Sequence, residues 1–157
     1  MSFRRMRRFK QQLSDEECIR ILKEEKRGVL AFAGDDGYPY AVPMNFVYDG
    51  EKIFFHCAPE GHKIDAIQAC DKVSFCVFQQ GEKREDDWAY YVRSVIVFGR
   101  ARLLTDREEI MEKCRLLALK YYPNAEDVEE ELKKDGHRVA MIELTIEHMT
   151  GKLVHEK

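Results

Sequence analysis

Apolar and polar positions alternate with two different periods along this chain, and the changes of period mark its elements. From Leu13 the pattern is helical. Ser14 can cap the first amides, Glu17 can reach back to complete a capping box, and Leu13 with Cys18 can staple the entry. Ile21 and Leu22 continue the stripe, the acids Asp15, Glu16 and Glu17 suit the positive end of the helix, and the helix is expected to end near Arg27-Gly28.

Strand patterns follow quickly. Val29 to Ala33 predicts a first strand, with a turn at Gly34-Asp35-Asp36-Gly37. Tyr38 to Tyr48 predicts a second, interrupted by Pro39 and Pro43. Asp49-Gly50 marks a hairpin, and Lys52 to Cys57 a third strand. Two prolines in one strand require an edge, a bulge or backbone donors that no ladder uses, and strands that change partners at such points close small barrels. A short helix is expected from His62 to Cys70, a fourth strand from Val73 to Phe78, and an exposed loop from Gln80 to Asp87. Tyr90 to Leu104 reads as a long apolar strand bent at Gly99. Asp106 to Tyr121 reads as an amphipathic helix with Ile110, Cys114, Leu117 and Tyr121 on one face, stopped by Pro123. A mostly polar helix spans Glu126 to Asp135. Val139 to His148 then alternates, with Ala140, Ile142, Leu144 and Ile146 on one face. The expected fold is mainly β with peripheral α: a single antiparallel barrel domain of six strands over residues 1–157.

The 157 residues suffice for one domain with its own core. A formal net charge of −3 argues against nucleic acid as a partner unless the basic residues are segregated. They are in part: Arg4, Arg5, Arg7, Arg8 and Lys10 form a basic arm within residues 1–12, read first as a solvated or docking segment and secondarily as a nucleic-acid contact. No stretch approaches the ~20 apolar residues of a membrane-spanning helix, so no membrane partner is expected. The five cysteines are odd in number and include no C-x-x-C, so neither a disulfide framework nor a metal site is expected. Reduced thiols and the absence of an export signal make the cytoplasm the expected location.

The densest polar constellation is His56-Cys57-Ala58-Pro59-Glu60-Gly61-His62-Lys63, which joins an apolar strand to a helix start. Free amides at a helix start attract anions, Gly61 permits close approach, and His62 and Lys63 add donors and positive charge. A plain surface turn has the same composition, and His56 reads equally as a histidine satisfied by backbone. Cys57 would need a lowered pKa to act as a nucleophile. In Val42-Pro43-Met44-Asn45 the proline removes an amide donor and leaves neighbouring backbone open to a ligand; the alternative is a β-bulge. Trp88, Tyr90 and Tyr91 read as core or subunit interface before ligand stacking.

Taken in order, Gly28-Val29-Leu30-Ala31, Asp36-Gly37-Tyr38-Pro39, Val42-Pro43-Met44-Asn45, Phe55-His56-Cys57-Ala58, Gly61-His62-Lys63, Ser94-Val95-Ile96-Val97-Phe98-Gly99-Arg100-Ala101 and Glu147-His148-Met149-Thr150-Gly151-Lys152 resemble the FMN-binding split-barrel proteins. Within that superfamily, relatives of pyridoxamine 5′-phosphate oxidase, they are most similar to the nitroimidazole-resistance (Nim) branch. The resemblance runs from Leu13 to Lys152. It implies a six-stranded antiparallel split β-barrel that forms a homodimer with FMN across the interface. It also implies that Val42, Pro43, Met44 and Asn45 line the flavin ring, that His56 and Cys57 lie beside it, and that His62 and Lys63 hold the phosphate. Ser94 would approach from the partner subunit, and Met149 would stand where the oxidases place a tryptophan. The Arg-rich phosphate strand of the oxidases is matched here by Ala41-Val42, so oxidation of vitamin B6 is not the expected reaction.

The function expected from this is a reductase that passes electrons from NAD(P)H through FMN to a small-molecule acceptor such as a nitroimidazole or a quinone. The flavin would supply the chemistry and His56 would be the proton donor. The alternative is a non-catalytic FMN-binding carrier or redox sensor, since no nucleotide-cofactor motif appears in the chain.

Overall fold

The computed structural model describes residues 2–155. The elements run α1 (Asp15–Glu24), β1 (Arg27–Ala33), β2 (Pro39–Asn45), β3 (Val47–Tyr48), β4 (Ile53–Cys57), α2 (His62–Ala69), β5 (Lys72–Phe78), β6 (Glu82–Lys83), β7 (Tyr90–Leu103), α3 (Arg107–Tyr121), α4 (Ala125–Asp135) and β8 (Ala140–His155).

All the strands join one antiparallel sheet in the order β2-β1-β5-β7-β8-β4-β3, with β6 paired to β7. Only Phe46 separates β2 from β3, yet these lie at opposite ends of that order. The chain therefore bridges the two sheet edges at Phe46, and the sheet curls into a split barrel. The expected barrel is observed: β1, β2, β4, β5, β7 and β8 are its main strands, and β3 and β6 are two-residue additions. The break in the second strand falls at Phe46 rather than at a proline. Pro39 and Pro43 are tolerated because, among the described residues, β2 pairs only with β1 and its other edge carries no ladder.

Local chemistry sets the helix starts. The Ser14 hydroxyl accepts from the Glu17 amide at 3.2 Å and the Glu17 carboxylate accepts from the Ser14 amide at 3.0 Å, which is the capping box expected. The helix stops at Glu24, earlier than expected, because Arg27 and Gly28 are drawn into β1 by pairing with Asn45 and Met44. The Asn124 side chain caps α4 through the amides of Glu126 and Asp127.

Two cores result. The first fills the barrel with Leu30, Phe46, Phe55, Phe75, Val97 and Ile142, and α1 closes it with Cys18, Ile21 and Leu22. The second lies outside the barrel wall, where Ile110, Cys114 and Leu117 of α3 and Val128 and Leu132 of α4 cover Phe54 and Met141. β8 is consequently buried on both faces from Met141 to Leu144, where alternation alone predicts one buried face. Its Glu143 is 2% exposed, held by Arg102 at 2.8 Å and Lys52 at 3.3 Å. β8 also runs seven residues beyond the expected end, because β7 continues to offer it a ladder from Phe98 to Tyr91. The pairing slips between Phe98 and Gly99, at the expected bend. A Cβ at Gly99 would lie 2.1 Å from the Thr145 carbonyl oxygen, so the slip requires glycine.

The five basic residues of the arm are exposed, and the arm touches the barrel at Phe3 and Gln12. Phe3 stacks on His148 (4.6 Å between ring centroids) and on Phe98 (5.6 Å), and Gln12 bridges to Lys152. Among the described residues no helix is long and apolar enough to cross a membrane.

Candidate functional site

Strand alternation divides the sequence-predicted residues between the two faces of the sheet. On β2, Val42 and Met44 pack into the barrel core, whereas Pro43 is exposed and Asn45 points outward. On β4, Cys57 packs inward and His56 stands on the outer face, opposite Met141. Met149 is also inward, paired with Val97 and packed against the barrel core, while Ser94 lies outward between Phe78 and Lys152. A flat ligand on the outer surface therefore meets Pro43, Asn45 and His56 through side chains. Val42, Met44 and the rest of β2 offer their backbone along the free edge of the strand.

Asn45 and His56 are brought together. Both line the floor of a cleft of about 450 Å³ between the barrel wall and α3 and α4. Arg27, which sequence reasoning assigned to the end of a helix, lies on the same floor and donates from Nε to Asn45 Oδ1 at 3.1 Å. One wall is formed by Leu117, Ala118, Tyr121 and Tyr122, the other by Glu131 and Asp135. The helical period marked Leu117 and Tyr121 as facing inward, but only the docking of α3 shows that they overhang Asn45. The α4 side of the cleft had no signal in the sequence beyond acidity.

The start of α2 lies close to this floor. Partial desolvation on the cleft floor holds the His56 imidazole below the ordinary histidine value although the residue is exposed at its rim, and the positive charge of Lys63 pushes it the same way. Burial likewise pushes the Cys57 thiol up to about 11, with Lys63 opposing. Cys57 is thus a protonated thiol at neutral pH, without the thiolate character a nucleophile needs. Gly61 caps α2 with φ 130°, a conformation closed to other residues, and no side chain occupies the cap. Its carbonyl accepts from the amides of Ile64 and Asp65, each at 3.1 Å. His62 stacks on Tyr40 at 3.9 Å and lies 3.7 Å from an Asp35 carboxylate oxygen. The donors present at this end, backbone amides plus Lys63 and His62, are the set an anion requires.

Ser94 does not join this group within one subunit. Three inter-strand steps separate β2 from β7, about 14 Å at the usual spacing. The strip between them on the outer face is apolar, with Val29, Cys76 and Ile96 in register beside Pro43, and with Phe78 and Phe98 more than two-fifths exposed.

Comparison with known proteins bears on this arrangement. Solved structures with the same fold include a Bacteroides thetaiotaomicron protein named for 5-nitroimidazole antibiotic resistance. It is 21% identical, with 92% of this chain and 87% of that one covered and a TM-score of 0.77. A FAD-binding protein from Mesorhizobium loti is 25% identical, covers 91% and 96%, and has a TM-score of 0.65. The FAD and heme binding protein from Mycobacterium smegmatis is 19% identical, covers 91% and 73%, and has a TM-score of 0.73. Among curated proteins none matches significantly in sequence. The model of the pyridoxamine 5′-phosphate oxidase family matches residues 14–153. With its curled antiparallel barrel and its outward-facing cleft, the chain belongs to the pyridoxamine 5′-phosphate oxidase family.

Proposed function

We propose that this protein is an FMN-dependent reductase, active as a homodimer, that passes electrons from NAD(P)H to a small electrophile such as a nitroimidazole. The observation that carries the reading is the meeting of three features on one outer surface. These are the unladdered edge of β2 at Pro43-Asn45, the cleft floored by Asn45 and His56, and the start of α2, whose Lys63 acts on His56. A flat ring with a phosphate tail needs these features together: backbone donors and acceptors along an edge, and amides with a lysine at one end. The relatives named as FAD-binding support a flavin.

FMN, when bound, supplies the hydride-accepting ring. Lys63 and the amides at the start of α2 would hold its phosphate, with His62 held nearby by Tyr40 and Asp35. The free edge of β2 would hydrogen-bond the ring. Since partial desolvation and Lys63 keep His56 below the ordinary histidine value, its imidazole is largely neutral at pH 7. It would act as a relay, giving a proton from one ring nitrogen while the other accepts one from water. The apolar strip of Ile96, Phe98 and Phe78 is the surface a second copy would cover, and the partner's Ser94 would then supply the contact that Ser94 of the same subunit is too far away to make.

The test is an anaerobic titration of the purified protein with FMN and then NADPH, followed by absorbance. One FMN per chain, bleaching with NADPH and recovery of the band on adding a nitroimidazole are expected. Failure to bind FMN overturns the proposal; binding without bleaching leaves a flavin carrier instead of a reductase. A His56→Gln variant should keep FMN and slow turnover.

A further inference from the structure

We propose that the cleft between α3 and α4 is the electron-acceptor site and that it selects planar aromatic molecules bearing a positive charge. The acceptor role rests on the flavin reading above; the selectivity rests on the cleft itself. About 450 Å³ accommodates a molecule of two or three fused rings. The α3 wall, Leu117, Ala118, Tyr121 and the two-thirds exposed Tyr122, is apolar and aromatic and suits a flat ring.

The α4 wall differs in kind. Asp127, Glu131 and Asp135 recur every four residues and so share one helix face. Glu131 and Asp135 line the main cleft. Asp127 and Glu131 line an adjoining hollow of about 340 Å³ that shares Ala118 and Tyr122 with it. Asp135 lies 3.9 Å from the guanidinium of the exposed Arg138. Glu129, off this face, is by contrast paired with Arg115. Glu131 and Asp135 in the cleft and Asp127 in the adjoining hollow favour a cation. The face of Tyr122 adds to the attraction, whereas the Tyr121 ring already lies 5.9 Å from the Lys26 ammonium and 5.7 Å from that of Lys120. Arg27 on the floor is engaged with Asn45 and repels positive charge there. A bound cation is therefore oriented with its charged end toward α4 and its uncharged, electron-accepting end toward His56.

The experiment measures binding of two fluorescent probes at low salt: proflavine, a planar three-ring cation, and anthracene-2-carboxylate, a planar three-ring anion. Proflavine is expected to bind about tenfold more tightly or better. The triple variant D127N/E131Q/D135N should lose about that factor for proflavine and none for the anion. A control triple variant, E108Q/E126Q/E130Q, has the same change of net charge on residues outside the cleft and should bind proflavine as the parent does. Ala118→Trp, which fills the space shared by the two hollows, should weaken both probes while the circular dichroism is unchanged. Equal affinity for the two probes, a triple variant that behaves as the parent, or a control that loses as much as the cleft variant overturns the selectivity. FMN uptake is measured on the same samples. Proflavine binding that depends on the three acids in a protein that takes up no FMN overturns the acceptor role along with the flavin reading, and upholds the selectivity.

Discussion

The hydroxyl of Tyr121 lies 3.0 Å from the amide nitrogen of Phe46 and 3.0 Å from its carbonyl oxygen, although 75 residues separate the two in sequence. Phe46 is fully buried and belongs to neither flanking ladder, so its peptide groups need partners from elsewhere. Tyr121 accepts from the amide. Lys120 donates to the Phe46 carbonyl at 3.1 Å and also to the carbonyl of Glu25. The C-terminal turn of α3 therefore fastens the seam at which the barrel closes.

Tyr121→Phe keeps the ring and removes the oxygen, leaving a buried amide without an acceptor. The expected cost is about 1–3 kcal/mol, a fall of several degrees in melting temperature. Urea denaturation at pH 7 measures it, and a loss below about 0.5 kcal/mol would show that water replaces the hydroxyl.

Burial pushes the Lys120 ammonium down to about 8, from an ordinary value near 10.5. Between those values the unfolded chain holds a proton that the folded chain has released, so this group's contribution to stability rises with pH from about 8 to about 10.5. Below 8 both states carry the charge and the full burial cost persists. Compared with Lys120→Met, the parent should gain up to about 1.4 kcal/mol per pH unit across that window. A stability difference that is flat from pH 7 to 10 would contradict this.

Lys63→Ala has two expected consequences with separate readouts. FMN affinity should fall about tenfold to a hundredfold through loss of a charge-assisted contact. The His56 titration, followed by NMR without FMN, should move upward, because Lys63 now pushes it down. An unchanged His56 titration would mean that Lys63 does not face the cleft floor.

With its thiol near 11, Cys57 carries about one thiolate in a thousand at pH 8. Iodoacetamide at that pH should modify it slowly in the folded protein and rapidly in urea, as read by peptide mass spectrometry. Rapid labelling of the native protein would show that it is an activated cysteine.

Much of the scaffold is legible in the sequence because its determinants are local. The Ser14-Glu17 capping box, the stop before Pro123, the bend at Gly99 and the edge character of a strand holding Pro39 and Pro43 each depend on a few adjacent residues. The residues of the candidate site are legible as types. His56, Lys63 and Asn45 stand out by chemistry and spacing. Their positions were less so: alternation separates His56 from Cys57 and Asn45 from Met44, yet which of them faces the cleft depends on where α3 docks.

What the sequence determined by itself is the order and type of the elements, the conformationally special positions and the family, because backbone preference and hydrophobic period are properties of short segments. What only the tertiary structure decided depends on contacts between segments far apart. The barrel closes at Phe46 because Tyr121 and Lys120 satisfy its peptide there. β8 is buried on both faces because a second core forms outside the wall, and Arg27 joins Asn45 and His56 because β1 begins where β2 ends. Burial of a surface and satisfaction of a polar group are decided by the segment that arrives from elsewhere in the chain, and no local pattern names that segment.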